Sequence, residues 1–482
     1  MSPRARLSAA GAALAALVGA QVAALRIGLP DDADGRRLLL CYALGAVAFV
    51  AGAWLVRGLP TRRSLQVAVA GGVLLQAVAV CYSPTTTDDY WRYLWDGKVQ
   101  AAGIDPYGYA PLDPALADLR DAELFPPDSR TPVETAGAQA EGRTDHCTIR
   151  GVPHDCTEIN RPNVHTIYPP VAEAAFLGMH YLSPDTHRVV AFQIAMGLLA
   201  LGVAAALIWA LRRSDRDPRG VVWWTWCPVV WLECANNAHI DVLGVLLLVL
   251  ALGVLTHHQV TSRRLGSGGA LFGAAVAVKL VPVLVAPVLL FRRGHLVLAA
   301  ATGVFVAGYL PHLLFVGTDV LGYLPGYLQE EGYSGEERFG VVRLLVPDRA
   351  APAVAVLIGA TIAAWVLRRA VVRARPDAED ALLLVGAAFV LVGPSQTWYG
   401  LIVVALAVLV NRPEWLALAA AAYPVYQAGH LGVDNSEMQQ RAYLPAALFV
   451  AAVTLLRRRR RGAGPGPASA RPADATAGHP AG

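Results

Sequence analysis

SPTTTDDYWRYLWDGKVQAAGIDPYGYAP, residues 83–111, starts where an apolar run of membrane length stops at Tyr82. That run reads as a transmembrane helix. The chain therefore leaves a bilayer and at once presents Asp88 and Asp89 beside Tyr90, Trp91, Tyr93 and Trp95, with Arg92 and Lys98 interleaved. One carboxylate at a membrane edge is ordinarily a helix cap. Two, with aromatic rings and a further acid at Asp96, ask for a chemical reason. The segment 89–102 patterns as an amphipathic helix lying in the interface. Trp91 and Trp95 fall on one face at i, i+4 spacing and read as an aromatic belt.

Working outward, the 482 residues are 55% hydrophobic and only 16% charged. A soluble chain carries about a quarter charged residues, and several uninterrupted apolar runs make this an all-α polytopic membrane protein. The first run, Leu7 to Ile27, shows no clear cleavage site and is followed by many more, so it reads as a retained span. Lysine occurs only at Lys98 and Lys279, whereas arginine abounds. Arginine richness of this kind follows base composition and does not imply nucleic acid. The run Arg457 to Arg461 reads as a cytoplasmic stop touching anionic membrane lipid, and 457–482 as a basic, disordered tail.

Arginine-rich short loops belong in the cytoplasm. They occur at Arg4–Arg6, Arg57–Arg63, Arg212–Arg219, Arg263–Arg264, Arg292–Arg293, Arg368–Arg375 and the tail. Spans over 1–82 then put 83–187 outside. The stretch 268–291 lies between two basic loops, so a single crossing would strand one of them outside. With Lys279, Pro282 and Pro287 in its middle, it reads as a broken or re-entrant pair. Segment 381–411, interrupted by Gly393, Pro394, Ser395 and Gln396, repeats the pattern. Broken backbone at such depth requires cover from protein or water. The expected organisation is a bundle of about ten full spans plus two broken pairs: spans in 1–82, an extracytoplasmic catalytic loop 83–187, spans 188–316, an outer loop 317–350, spans 351–456, and the tail.

Ionisable residues within a membrane are candidates for function. The charge pattern places them on one side: Asp88–Asp89; ECANNAHIDVLG (Glu233 to Gly244) with His239 and Asp241; Lys279; PSQTWYG (Pro394 to Gly400) with Gln396, Trp398 and Tyr399; NVHTIYPP with His165 and Tyr168; and EERFG with Arg338. Structural readings stand beside these. Asn236 and Asn237 suit caps, His239 a core position, Lys279 snorkelling, and Trp398–Tyr399 a belt. Cys147 and Cys156 flank TIRGVPHD in the outer loop, where a disulfide is favoured. A metal site with His146 and His154 matches no strong spacing pattern.

An acid at the outer face, a cation within the bilayer and aromatic faces suited to sugar rings fit transfer of a sugar from a lipid phosphate. That reaction needs a base for the acceptor hydroxyl and positive charge or donors for the leaving phosphate. No Walker loop, dinucleotide fingerprint or zinc motif is present, so a cytoplasmic nucleotide-sugar donor is not supported. The sequence fixes no cofactor, and a divalent cation stays open. The alternatives are a transporter or flippase of lipid-linked sugars, whose helices are often broken, and an inactive scaffold.

TDDYWRYLWDGKVQAAGIDPYGYAP, followed by INRPNVHTIYPPVAEAAF, resembles bacterial GT-C glycosyltransferases, closest to glycosyltransferase family 87 and the related polyprenol-phosphate-mannose-dependent mannosyltransferases. NNAHIDVLGVLLLVLAL, AVKLVPVLVAPVLL and SQTWYGLIVVAL resemble later blocks of that group in the same order, so the likeness spans 83–411. The resemblance implies a bacterial plasma-membrane enzyme with its site facing outward. It implies an inverting transferase that uses a polyprenyl-phosphate sugar, often mannose, and passes it to a glycolipid or glycan acceptor. It also implies a catalytic Asp in the first outward loop with a Tyr four residues on, which selects Asp89 with Tyr93, Asp88 being an orienting neighbour. His239, Lys279 or Arg92 would then contact the lipid phosphate, with Arg338 a further alternative. Trp398 and Tyr399 would line the sugar or acceptor site, with Tyr93, His165, Tyr168, Asp241 and Gln396 also on substrate.

Overall fold

The computed structural model describes residues 1–28, 34–126, 157–183, 188–256, 261–332 and 338–462. The loop positions Cys147 and Cys156 lie outside the described residues. Among those described, the chain is helical without strands, and six helices are long and apolar enough to cross a membrane. These include α1 (Pro3–Ile27), α2 (Gly35–Arg57) and α3 (Thr61–Val80). Next come α4 (Asp89–Ala101), α5 (Pro170–Leu182) and the long α6 (Arg188–Arg213). After a broken segment, α7 (Asp241–Leu255), α8 (Ser262–Val276) and α9 (Gly294–Val316) follow. The chain continues through α10 (Leu324–Glu330), α11 (Ala351–Ala370), α12 (Ala378–Val392), α13 (Gly400–Leu409), α14 (Leu416–Tyr426) and α15 (Asn435–Gly462).

Apolar patterning decides which helices are central. Helix α13, GLIVVALAVL, is apolar all round, and every one of its residues is buried. A helix without a polar face has no side to give to water and goes to a core or a membrane. In contrast, α9 is also largely apolar, yet only Gly294, Val297 and Ala301 are buried on it; its remaining surface suits lipid. Helices α6 and α7 pack on one another, α7 on α8, and α8 on α9.

The arginine-rich ends gather at one end of the bundle. Arg6 donates to the Gly58 carbonyl at 2.8 Å, and Arg219 to the Leu59 carbonyl at 3.4 Å. Arg293 reaches Ser262 at 3.0 Å, which brings the two ends of the 262–293 segment together. Arg216 donates to the Leu409 carbonyl at 3.2 Å and lies 3.8 Å from Glu379, doing the same for 378–409. Each of these segments therefore leaves the arginine end and returns to it.

The breaks have local causes. Helix α8 stops before Lys279, and Pro282, which has no N–H to donate, opens the short 3-10 turn Val281–Val285. Helix α12 ends at Gly393, whose φ of 64° suits a glycine cap, and Pro394 forbids continuation. A side chain at Gly393 would also meet Gln439, 2.5 Å away.

Three expectations are corrected. Within the expected spans of 188–316, the apolar stretch 220–234 is not one continuous helix: it is broken at Cys227–Pro228 and resumes as a π-helical stretch, Trp231–Asn236. Such wide turns concentrate at functional sites. Helix α15 continues to Gly462, so Arg457 to Arg460 are helical rather than the start of a disordered tail. Helix α4 is not a surface helix: Tyr93, Leu94, Trp95, Asp96, Gly97 and Val99 are all buried. Trp95 packs edge-on against Phe125 in the interior instead of forming a belt with Trp91. The packing is close enough that a side chain at Gly97 would collide with the Phe176 carbonyl of α5.

Candidate active site

The strap Thr85–Thr87, between α3 and α4, carries the paired acids. The turn after the π-helical stretch holds it in place. The Asn236 side-chain oxygen accepts from the Thr85 hydroxyl at 2.7 Å and its N–H at 3.1 Å. Asn237 donates to the Thr86 hydroxyl at 2.6 Å, and its oxygen accepts from the Thr86 N–H at 3.3 Å. Gln193 donates to the Tyr82 and Asn236 carbonyls, and Tyr426 to the Thr86 carbonyl. Neither Asn caps the start of α7, where Ile240 holds the N-cap position; the side chains of both clamp a distant strap.

Asp88 occupies the position before α4, but its side chain makes no capping hydrogen bond. Thr87 takes that part, its hydroxyl accepting from the Asp89 N–H at 3.2 Å. The Asn160 amide nitrogen lies 2.8 Å from Asp88 Oδ1 and 2.8 Å from Asp89 Oδ1. One amide with two hydrogens thus orients two carboxylates.

Both acids line a cavity of about 840 Å³. Arg92, His165, Tyr168, Lys279, Gln396 and Trp398 also line it. Lys279 Nζ lies 3.6 Å from Asp241 Oδ2, 4.9 Å from the centre of the Tyr168 ring and 5.8 Å from that of Tyr399. A cation between two ring faces and a carboxylate is held without being neutralised by a tight contact. Arg92 donates through Nε to both oxygens of Asp96, at 2.9 and 3.1 Å, and through Nη1 to the Val164 carbonyl at 3.1 Å. Its Nη2 is buried with no hydrogen-bond partner.

Other candidates sit behind the cavity wall. His239 is fully buried, stacked on Trp398 with ring centres 4.1 Å apart, and its Nε2 lies 3.4 Å from Glu233. Its core reading prevails over a direct phosphate contact. Tyr93 is fully buried, stacked on Phe176 at 4.6 Å and edge-on to Tyr168 at 5.1 Å; it positions α4. Asp241 and Tyr399 line only a small recess beyond Lys279. Arg338 is tied to Glu331 and donates to the Gly393 carbonyl at 3.4 Å and Gln396 at 3.3 Å, outside the main cavity.

Several cavity residues were not singled out from sequence. Asn160 sits in an irregular stretch, INRPNVH, where nothing local marks its role. Tyr323, Tyr327, Glu330 and Glu331 come from around α10. Arg161, at a φ of 49°, donates to both oxygens of Glu330 at 2.9 Å and so joins this wall to the Asn160 stretch. An aromatic and acidic run in a loop facing the candidate base was the available signal.

Asp96 was noted as a further acid, and it faces away from the cavity. It pairs with Arg92 beside Glu173, whose oxygens accept from Thr166 at 2.8 Å and Gln100 at 2.8 Å. Burial, and next the Asp96 charge, hold the Glu173 carboxyl well above its ordinary range. Among the described residues no group of three or more His, Cys, Asp or Glu side chains could hold a metal ion.

Residues 166–394 match the family model described as Glycosyltransferase family 87. The match begins after the paired acids and covers Tyr168, Lys279 and α10 to α12. No curated protein and no solved structure matches the chain.

Proposed function

Residues 166–394 place this membrane glycosyltransferase in family 87, and from that premise we propose a specific reaction for its cavity. The donor is a polyprenyl-phosphate sugar, with mannose the sugar the resemblance implies. The acceptor is a glycolipid or glycan of the bacterial envelope, and the cavity faces away from the cytoplasm. Asp89 accepts the proton of an acceptor hydroxyl. That oxygen forms a bond to the anomeric carbon from the face opposite the leaving group, while the bond from that carbon to the phosphate oxygen breaks. The electron pair and negative charge leave on the polyprenyl phosphate, which Lys279 receives, with the Arg92 guanidinium in the cavity wall adding positive charge. Asp88 and Asn160 orient Asp89, and Trp398, Tyr168 and Tyr327 offer ring faces to the sugars.

The observation that carries this reading is a pair of acids held by one amide across a cavity from a lysine braced by two aromatic rings. It is tested by incubating the purified protein in detergent with polyprenyl-phosphate mannose and candidate glycolipid acceptors. A transferase forms product without a sealed membrane. Absence of product, together with sugar-lipid movement in sealed vesicles, would establish a transporter instead.

A further inference from the structure

We propose that the arginine end of the molecule holds an anionic glycerophospholipid, with an acyl chain in a lateral groove and its phosphate in an adjoining basic pocket. The groove, about 660 Å³, lies between α2, the broken segment near Trp223, α14 and α15. Its wall on α2 is Leu39, Ala43, Ala46, Val50 and Trp54. These recur at three- and four-residue spacing, so they form one helix face about 22 Å long. That exceeds the depth of one leaflet of hydrocarbon, about 15 Å. Trp54 is 62% exposed and Phe449 52%, so the groove is open to the side.

Toward the arginine end, Trp54 also lines a second pocket, of about 500 Å³, with Arg6, Arg57, Asp217 and Arg219. Arg219 donates to both Asp217 oxygens at 2.9 and 3.0 Å, and Arg57 lies 3.6 Å from the same carboxylate. Arg6 spends its hydrogen bond on the neutral Gly58 carbonyl. Three guanidinium groups thus face one carboxylate, an excess of two positive charges beside an apolar slot. That combination suits a phosphate carrying an acyl chain, and a zwitterionic headgroup would gain less from it. The lipid here is not the glycosyl donor, because its phosphate sits at the end of the bundle opposite Asp89.

The test uses the full protein, delipidated in mild detergent and titrated with phosphatidylglycerol or phosphatidylcholine of the same acyl chains, read by native mass spectrometry. The expected result is retention of one phosphatidylglycerol under activation that strips phosphatidylcholine. Arg57→Gln with Arg219→Gln should weaken that retention by roughly fivefold per guanidinium and leave sugar transfer in detergent unchanged. Ala46→Phe narrows the groove without touching a charge and should also abolish retention. Equal retention of the two lipids by the wild type, unaltered retention in both variants, or displacement of phosphatidylglycerol by polyprenyl phosphate would each overturn the assignment.

Discussion

Two acid pairs are built around helix α4, about two turns apart, and they teach opposite lessons. Asp88 and Asp89 open onto a large cavity and share one amide donor. Asp96 and Glu173 are buried, bound by Arg92, Gln100 and Thr166, and line neither the large cavity nor the recess beyond Lys279. The first arrangement sets carboxylates on the wall of a space that a substrate can enter. The second uses its oxygens to tie α4 to α5. Residue type is the same; access and partners separate chemistry from scaffolding.

The comparison breaks most directly at Asp89. Asp89→Asn should lower transfer by roughly 10²–10⁴-fold, the range for loss of a general base, with the thermal midpoint in detergent unchanged. Normal turnover by this variant would remove the proposed mechanism. Arg92→Met acts on the other pair. It strands the buried Asp96 carboxylate, and a broken buried pair costs about 3–5 kcal/mol, readable as a large fall in the unfolding midpoint. An unchanged midpoint would show that Asp96 is not held as described.

Asn160→Ala should have an intermediate effect, a loss of about tenfold in transfer, corresponding to about 1.4 kcal/mol. Asn160→Asp should lose more, since it replaces the shared donor with a third carboxylate. Equal activity of all three proteins would show that the amide does not orient the base.

The smallest effects concern pH. Glu173 is raised, by burial and then by Asp96, so the folded state binds its proton more tightly than the unfolded chain. Stability from this group is full below the unfolded value, about 4.3, and is lost as pH rises through the folded value. Glu173→Gln should flatten that decline in a series of melting curves. Asp121 runs the other way. Burial alone would raise it, but hydrogen bonds from Lys98, the Leu124 N–H and Arg188 hold it at about 2. Its contribution is present above the unfolded value, about 3.9, and disappears as pH falls toward 2. Asp121→Asn should remove that acid-side slope; an identical slope in the variant would assign it to other groups.

Much of the architecture was legible because charge and hydropathy act locally. The arginine clusters led to the expectation that segments 268–291 and 381–411 return to their own side, and the contacts Arg293–Ser262 and Arg216 with Glu379 and Leu409 join those ends. The break at Gly393–Pro394 is written in two residues. The break at Pro228 was missed because the surrounding run, VVWWTWCPVVWL, is apolar enough to read as one span.

The site was legible in part. Asp88, Asp89, Lys279, Gln396 and Trp398 were singled out, and the structure brings them to one cavity. His239 and Tyr93 were assigned to substrate, yet they lie behind Trp398 and within the α4–α5 contact. A sequence shows that a residue is polar or aromatic; which way it points depends on packing partners far along the chain.

The sequence alone determined a membrane bundle of apolar helices, the gathering of arginine at one end, and a set of candidate groups at the other. Those follow from transfer of side chains between water and lipid, which each residue feels independently of its distant neighbours. Only the tertiary structure decided that Asn160 bridges the two acids, that Asp96 serves scaffolding while Asp89 faces open space, and that Lys279 stands between Tyr168 and Tyr399. Hydrogen bonds and ring contacts act over a few ångströms, so they become definite only when distant segments have been brought together.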